Sequence, residues 1–176
     1  VESGCLLGLT PHEFERVRWY SISVLENGRL GVLVKRHEMG LCSNQLHGFA
    51  VGDQIRASIH HNVSFRLPSS RPLVFVANGS GMGPFLGMIQ QLEDGANAHL
   101  FWGVQTKDQY HLISTELSVA SRRGALQSVH VAVSRGGADI KYVQDAVEMW
   151  KGLPDFTVKQ GTWMVCGSKA MSDGLE

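Results

Sequence analysis

Between a short apolar run and a segment with helical spacing stands Asn78-Gly79-Ser80-Gly81-Met82-Gly83-Pro84. Residues without side chains let a backbone come close to a pyrophosphate. The start of a helix adds unpaired N–H groups and the positive end of its dipole. The chemistry expected of such a turn is dinucleotide binding. A plain strand-to-helix turn is the structural alternative, and the glycines alone do not separate the two. The spacing is G-x-G-x-G-P rather than G-x-G-x-x-G. Gln105-Thr106 stand where a ribose-gripping carboxylate would end the next strand.

Ser134-Arg135 closes a later apolar run, and in open α/β sheets the carboxyl ends of strands face the ligand crevice. A hydroxyl and a guanidinium there can hold a phosphate, although an arginine at a strand end is more often simply solvated. Cys166-Gly167 ends the last such run and is expected to face the same crevice. A lone buried thiol is more often a small apolar residue than a reactive one. His60-His61 does not read as a metal site, because strand neighbours point to opposite faces and no third ligand stands at suitable spacing. No metal is expected. Trp102, Trp150 and Trp163 fall at apolar positions and read as core. Neither a Gly-x-Ser-x-Gly elbow nor a carboxylate pair supports hydrolysis.

The elements that must carry these residues change character along the chain. Residues 1 to 16 have no clear period, and Thr10-Pro11-His12-Glu13 resembles a helix start. Val17 to Val24 and Leu30 to His37 predict an antiparallel pair around Glu26-Asn27-Gly28. A short helix at Ser43 to His47 and a strand at Gln54 to His60 are expected next. After Pro68-Ser69-Ser70-Arg71-Pro72, a stretch suited to a linker, strands and helices alternate, which places a domain boundary between residues 68 and 69. Leu73 to Ala77 reads as a parallel strand covered on both faces. Phe85, Met88, Ile89 and Leu92 share one face of a helix from Pro84 to Leu92. Strands at Ala98 to Val104, Ser128 to Val133 and Trp163 to Cys166, with helices at Ser114 to Arg123 and Tyr142 to Trp150, complete a doubly wound α/β domain.

The composition sets outer limits. An apolar fraction of 43% with 18% charged residues is that of a folded chain. Sixteen basic residues balance sixteen acidic ones, so no overall field draws it to nucleic acid and any anion site must be local. Cys5, Cys42 and Cys166 form no C-x-x-C pair, which predicts a reducing, cytoplasmic setting. No apolar run approaches the roughly 20 residues of a membrane helix. The chain starts and stops in mid-pattern, as expected of a fragment.

In order along the chain stand Arg18-Trp19-Tyr20-Ser21, Gly40-Leu41-Cys42-Ser43, Gly79-Ser80-Gly81-Met82-Gly83-Pro84, Ser134-Arg135, Tyr142-Val143-Gln144 and Cys166-Gly167. This series resembles the motifs of ferredoxin–NADP reductases, closest to the diflavin-reductase branch that includes the sulfite reductase flavoprotein. The reductase modules of bacterial membrane flavoproteins are similar. The resemblance implies an α/β plus β chain. Residues 1–68 would form a partial antiparallel FAD-binding barrel, and residues 69–176 a doubly wound, parallel NADP-binding α/β domain cut at its C-terminus. It further implies that Arg18 pairs with the FAD pyrophosphate, that Tyr20 packs on the isoalloxazine, and that Ser21 lies near flavin N5. The segment Gly40, Leu41, Cys42 and Ser43 would hold FAD phosphate. Gly79 to Pro84 would lie under the NADPH pyrophosphate, Ser134 and Arg135 would grip its 2′-phosphate, Tyr142 would lie near the adenosine, and Gln144 would be a further cofactor-binding residue. Cys166 and Gly167 would lie by the nicotinamide, with Ser21 and Cys166 in catalytic roles.

The sequence departs from that pattern in places. Ile140 stands where the branch commonly has a lysine, with Lys141 one place later and expected to point away. Gly83 replaces a more usual alanine, and Ser168 replaces an acid. Of about six barrel strands, roughly three would precede Val17, and a terminal helix with a flavin-shielding aromatic would follow Glu176. The implied function is hydride transfer from NADPH to FAD and on to a one-electron acceptor, in the cytoplasm or on the cytoplasmic face of a membrane to which absent segments would tether the module. The alternative is a non-catalytic assembly module that kept the scaffold and lost the flavin.

Overall fold

The computed structural model describes residues 1–10, 16–24, 29–137, 139–151 and 161–175. The N-terminal part is antiparallel. Strand β1 (Leu6–Thr10) lies between β2 (Arg18–Ser21) and β5 (Arg56–His60), with Leu7 opposite both Tyr20 and Ile59. Short strands β3 (Ser23–Val24) and β4 (Leu30–Gly31) pair separately, and helix α1 (Leu41–Gly48) follows.

Two expectations for this region are corrected. The segment read as having no period contains β1. Gly8 interrupts its apolar alternation, and a Cβ there would stand 2.7 Å from Ser58 Oγ and Val17 Cγ1 and 2.8 Å from the Trp19 ring. Thr10 is the last residue of that strand, and the helix start read at Pro11 to Glu13 lies outside the described residues. The long hairpin is not seen among the described residues either, since Arg18–Ser21 pairs with β1 and the described pairs between β3 and β4 are Ser23↔Gly31 and Val24↔Leu30. Residues 32–37 are not strand, and the turn at 26–28 lies outside the described residues.

The C-terminal part follows the expected alternation closely. Among the described residues, four parallel strands stand in the order β8 (Leu126–Val133), β7 (Ala98–Val104), β6 (Leu73–Asn78), β9 (Thr162–Cys166). A 3-10 turn at Gly79–Gly81 leads from β6 into α2 (Met82–Gln91). Helices α3 (Lys107–His111) and α4 (Ser114–Arg122) lie between β7 and β8, α5 (Val143–Lys151) between β8 and β9, and α6 (Lys169–Asp173) after β9.

Side-chain alternation sorts the sheet's two faces. Leu73, Phe75 and Ala77 of β6, with Leu100 and Trp102 of β7, pack beneath α2 and α4. Val74 and Val76, with Phe101, pack beneath Val143, Ala146 and Val147 of α5 and Met171 of α6. Residues 73–77 are therefore all 0% exposed, as an unbroken apolar run covered on both faces requires. Phe75 and Phe85 meet at 4.9 Å between ring centroids, and full burial of such a side chain contributes about 2–3 kcal/mol.

The two parts join along α2. The buried Ser23 hydroxyl donates to the Gly83 carbonyl, and the buried Ser3 Oγ accepts from Val24 N at 2.9 Å and Gln91 Nε2 at 3.2 Å. Gly87 allows this approach, because a Cβ there would overlap Ser3 Oγ and sit 2.8 Å from Val24 N. The β layer is thus fixed against the helix that the glycine turn begins.

Candidate functional site

In a parallel sheet whose first strand lies inside, connections leave on opposite sides of one strand pair, and the carboxyl ends part there to form a crevice. That pair is β6 and β9. An open cleft of about 610 Å3 lies at this end of the sheet. Gly103 and Val104 of β7, Asn78 of β6, Cys166 of β9 and Ser134 just past β8 all line it. Its other wall comes from the β layer through Trp19, Tyr20 and Ser21, with Leu33 and Lys35 from the irregular segment.

The structure brings together ten of the residues expected to act: Tyr20, Ser21, the turn Gly79, Ser80 and Gly81, Ser134, Tyr142, Gln144, and the pair Cys166 and Gly167. Met82, Gly83 and Pro84 are not brought to the cleft. They are buried in the first turn of α2, where the Gly83 carbonyl accepts from the Ser23 hydroxyl of β3. Arg135 is exposed next to Ser134 and does not line the cleft, whereas Lys141, expected to point away, does.

Arg18, Gly40, Leu41, Cys42 and Ser43 form a second group joined to the cleft through Tyr20. The Tyr20 phenol donates to Cys42 Sγ at 3.3 Å, and Arg18 lies two residues before Tyr20, on the same face of the strand. Burial above all, then the hydrogen bond to Cys42, pushes the Tyr20 phenol up to about 12, so it stays neutral. The Ser43 hydroxyl is committed within its own loop: it donates to the Gly40 carbonyl at 3.1 Å and accepts from His37 N at 3.2 Å. An anion at this loop would meet the backbone N–H groups that open α1 before it met that hydroxyl.

The glycines of the turn have different physical reasons. Gly79 has φ +50°, and a Cβ there would enter open space. Its carbonyl accepts from Trp102 Nε1 at 3.1 Å, so a tryptophan read as plain core also anchors the turn. Gly81 instead permits contact with β9, since a Cβ would overlap the Cys166 carbonyl. Behind it, Asn78 Oδ1 accepts from Ser168 N at 3.0 Å and Asn78 Nδ2 donates to Ser168 Oγ at 2.9 Å.

The electrostatics favour an anion. Lys35 and Lys141 line the cleft, and no Asp or Glu is among its described lining residues. The chain's zero net charge hides this local excess. Burial pushes the Cys166 thiol up, so at neutral pH it faces the cleft as a thiol. No group of three or more His, Cys, Asp or Glu that could hold a metal occurs among the described residues. Sequence reasoning missed Lys35, Asn78 and Ser168. A lysine ending the apolar stretch Gly31 to Val34 was the available signal for the first; Asn78 opens the glycine motif and Ser168 follows Cys166-Gly167, but nothing local paired them.

Comparison with known proteins agrees with this geometry. Residues 75–176 match the family described as the oxidoreductase NAD-binding domain. The chain is 31% identical over 150 residues to inducible nitric oxide synthase from Sus scrofa, covering 76% of this chain and 13% of that protein. It is 34% identical over 113 residues to the sulfite reductase [NADPH] flavoprotein alpha-component of Pectobacterium atrosepticum, covering 58% of this chain and 19% of that one. The chain thus spans less than a quarter of the length of either relative. Ferredoxin-NADP+ reductase from Plasmodium falciparum, solved with 2′P-AMP, superposes with a TM-score of 0.78 at 23% identity over 99% of this chain and 78% of that chain. The likeness extends over the β layer as well as the sheet. A glycine turn and a cationic cleft at the sheet's switch point, in a chain that matches this family over more than half its length, make it a member of the oxidoreductase NAD-binding domain family with the fold of ferredoxin–NADP+ reductase.

Proposed function

We propose that the chain is a reductase module that accepts a hydride from NADPH onto FAD and passes electrons singly to an acceptor. One observation carries the reading: Tyr20 and Ser21 share a single cleft with the Gly79–Gly81 turn and Cys166, so two flat heterocycles can meet between them. FAD, when bound, supplies the redox centre, and the protein sets its position and electrostatics.

The residues present fit both groups. Arg18 and the backbone of Gly40 to Ser43 would hold the FAD pyrophosphate, and the neutral Tyr20 ring would support the isoalloxazine. Gly79, open to the cleft, and the N–H groups of the turn would face the NADPH pyrophosphate, with Lys35 adding charge. Ser134 and Lys141, with Arg135 outside, would take the 2′-phosphate, and Tyr142 and Gln144 would border the adenosine. Cys166 would present a protonated thiol beside the nicotinamide, and the Ser21 hydroxyl would hydrogen-bond near flavin N5.

The acceptor is a protein or cofactor outside this chain. The three free cysteines support a reducing, cytoplasmic setting. No helix of the described residues is long and apolar enough to cross a membrane, so tethering would fall to other segments. The test is optical. The chain mixed with FAD and desalted should retain a flavin spectrum that anaerobic NADPH bleaches. A colourless protein that nonetheless binds NADP+ would support the assembly-module alternative.

A further inference from the structure

The backbone ladder between β6 and β9 ends at Ala77↔Cys166. One residue further, the Asn78 side chain takes over. A carboxamide carries the same acceptor and donor as a peptide unit, and here it offers both to Ser168. Its geometry excludes a side chain at the residue between: a Cβ on Gly167 would overlap Asn78 Oδ1 and sit 2.9 Å from Asn78 Cγ and Met171 Cε. Ser168 is fixed in turn as the N-cap of α6, its Oγ accepting from Met171 N at 3.3 Å. Beyond Ala77↔Cys166 no backbone ladder joins the two strand ends, whose connections leave on opposite sides of the sheet.

We propose that Asn78 and Ser168 clamp the crevice across the switch point and are positioning residues for Cys166. The clamp holds the Cys166-Gly167 turn against Gly81 and fixes both how far the crevice opens and how the Cys166 thiol meets the nicotinamide ring. The part concerning nicotinamide rests on the reductase reading; the part concerning Cys166 exposure does not.

Two measurements on this chain separate those parts. The first is alkylation of Cys166 by iodoacetamide, followed by peptide mass spectrometry. Asn78→Ala and Ser168→Ala should each raise the rate about tenfold by opening the crevice, and the double variant should be no faster than the faster single one. Asn78→Asp accepts from both Ser168 N–H and Ser168 O–H, so it should stay within about threefold of the parent. Unchanged single variants, additive effects, or an Asp variant behaving like Ala would overturn the clamp. If Asn78→Ala fails to fold, the Ser168→Ala and Asn78→Asp pair decides by itself.

The second measurement compares nucleotides. In the flavin-loaded chain, Ser168→Ala should slow flavin reduction by NADPH about tenfold while 2′-phospho-AMP, which lacks the nicotinamide, binds within about twofold of the parent. An unaltered reduction rate would refute positioning of Cys166 for hydride transfer. Failure of the parent chain to bind 2′-phospho-AMP would sink the reductase reading instead, and the alkylation result would still decide the clamp.

Discussion

The main chain of Gly81 rests against the carbonyl of Cys166, so the turns after β6 and β9 touch with no side chain between them. A Cβ at 81 would overlap that oxygen and stand 3.0 Å from Gly167 Cα, whereas a Cβ on Gly83 would find Ser21 O at 3.6 Å and Leu33 Cβ at 3.7 Å. Gly81→Ala should therefore lower stability by about 2–3 kcal/mol. Gly83→Ala should be neutral or stabilise by up to about 1 kcal/mol, because alanine favours the helix. Urea denaturation of the two variants side by side checks this; equal losses would contradict it.

Lys141 lines the cleft beside Ser134, and Arg135 does not. Lys141→Ala should weaken NADPH binding about tenfold while NADH changes less than about threefold, and Arg135→Ala should have the smaller effect. Titrations with both nucleotides decide it. A larger loss from Arg135→Ala would place the 2′-phosphate outside the cleft.

On the opposite face of the sheet, Ser128 Oγ joins His99 Nδ1 at 2.9 Å and His130 Nε2 at 3.0 Å. His130 stacks on Phe101 with ring centroids 4.5 Å apart, and His99 lies 4.8 Å from the Trp150 ring. Burial pushes both imidazoles below the ordinary 6.5, and for His99 the neighbouring His130 adds to this. An unfolded chain takes up these protons at a higher pH than the folded one. The contribution to stability is therefore complete above 6.5 and is lost as pH falls through that value toward the depressed folded pKa. The thermal midpoint should fall between about pH 7.5 and 5.5, and a His99→Asn, His130→Asn double variant should flatten the fall. An equally steep fall in the double variant would assign it to other groups.

Arg123 closes the C-terminal end of α2 from the end of α4. Its guanidinium donates to the carbonyls of Leu92, Ile89 (2.8 Å) and Gln90 (3.3 Å) and pairs with Asp94 at 3.1 Å. Unpaired carbonyls and the negative end of the helix dipole favour a cation there. Arg123→Ala should cost about 2 kcal/mol. Arg123→Lys should recover less than half, because an ammonium on a flexible stem lacks the rigid planar fork that reaches these carbonyls and Asp94 at once. Thermal unfolding followed by circular dichroism gives both values.

The α/β half was legible because its signals are local. Leu73 to Ala77 had to be covered on both faces, and Phe85, Met88 and Ile89 had to share one helix face; the structure buries all of them. The order of the short motifs was legible too, and it led to the right fold. The β layer was read poorly. Its strands are short, Gly8 breaks the alternation of β1, and pairing partners up to 54 residues apart, such as Leu6 with His60, leave no local trace.

Sequence by itself therefore determined the chemistry on offer: a glycine turn at a strand end, an aromatic and a hydroxyl on an early strand, and a cysteine at a late strand end. Only the tertiary structure decided which of these meet. It brought Lys35 and Lys141 into the cleft and left Arg135 outside, set Gly81 against the Cys166 carbonyl, and joined Asn78 to Ser168 across 90 residues. The physical reason is range. Backbone preference and side-chain alternation act over a few residues, whereas a carboxamide on a distant hydroxyl exists only once the sheet has set its two strand ends side by side.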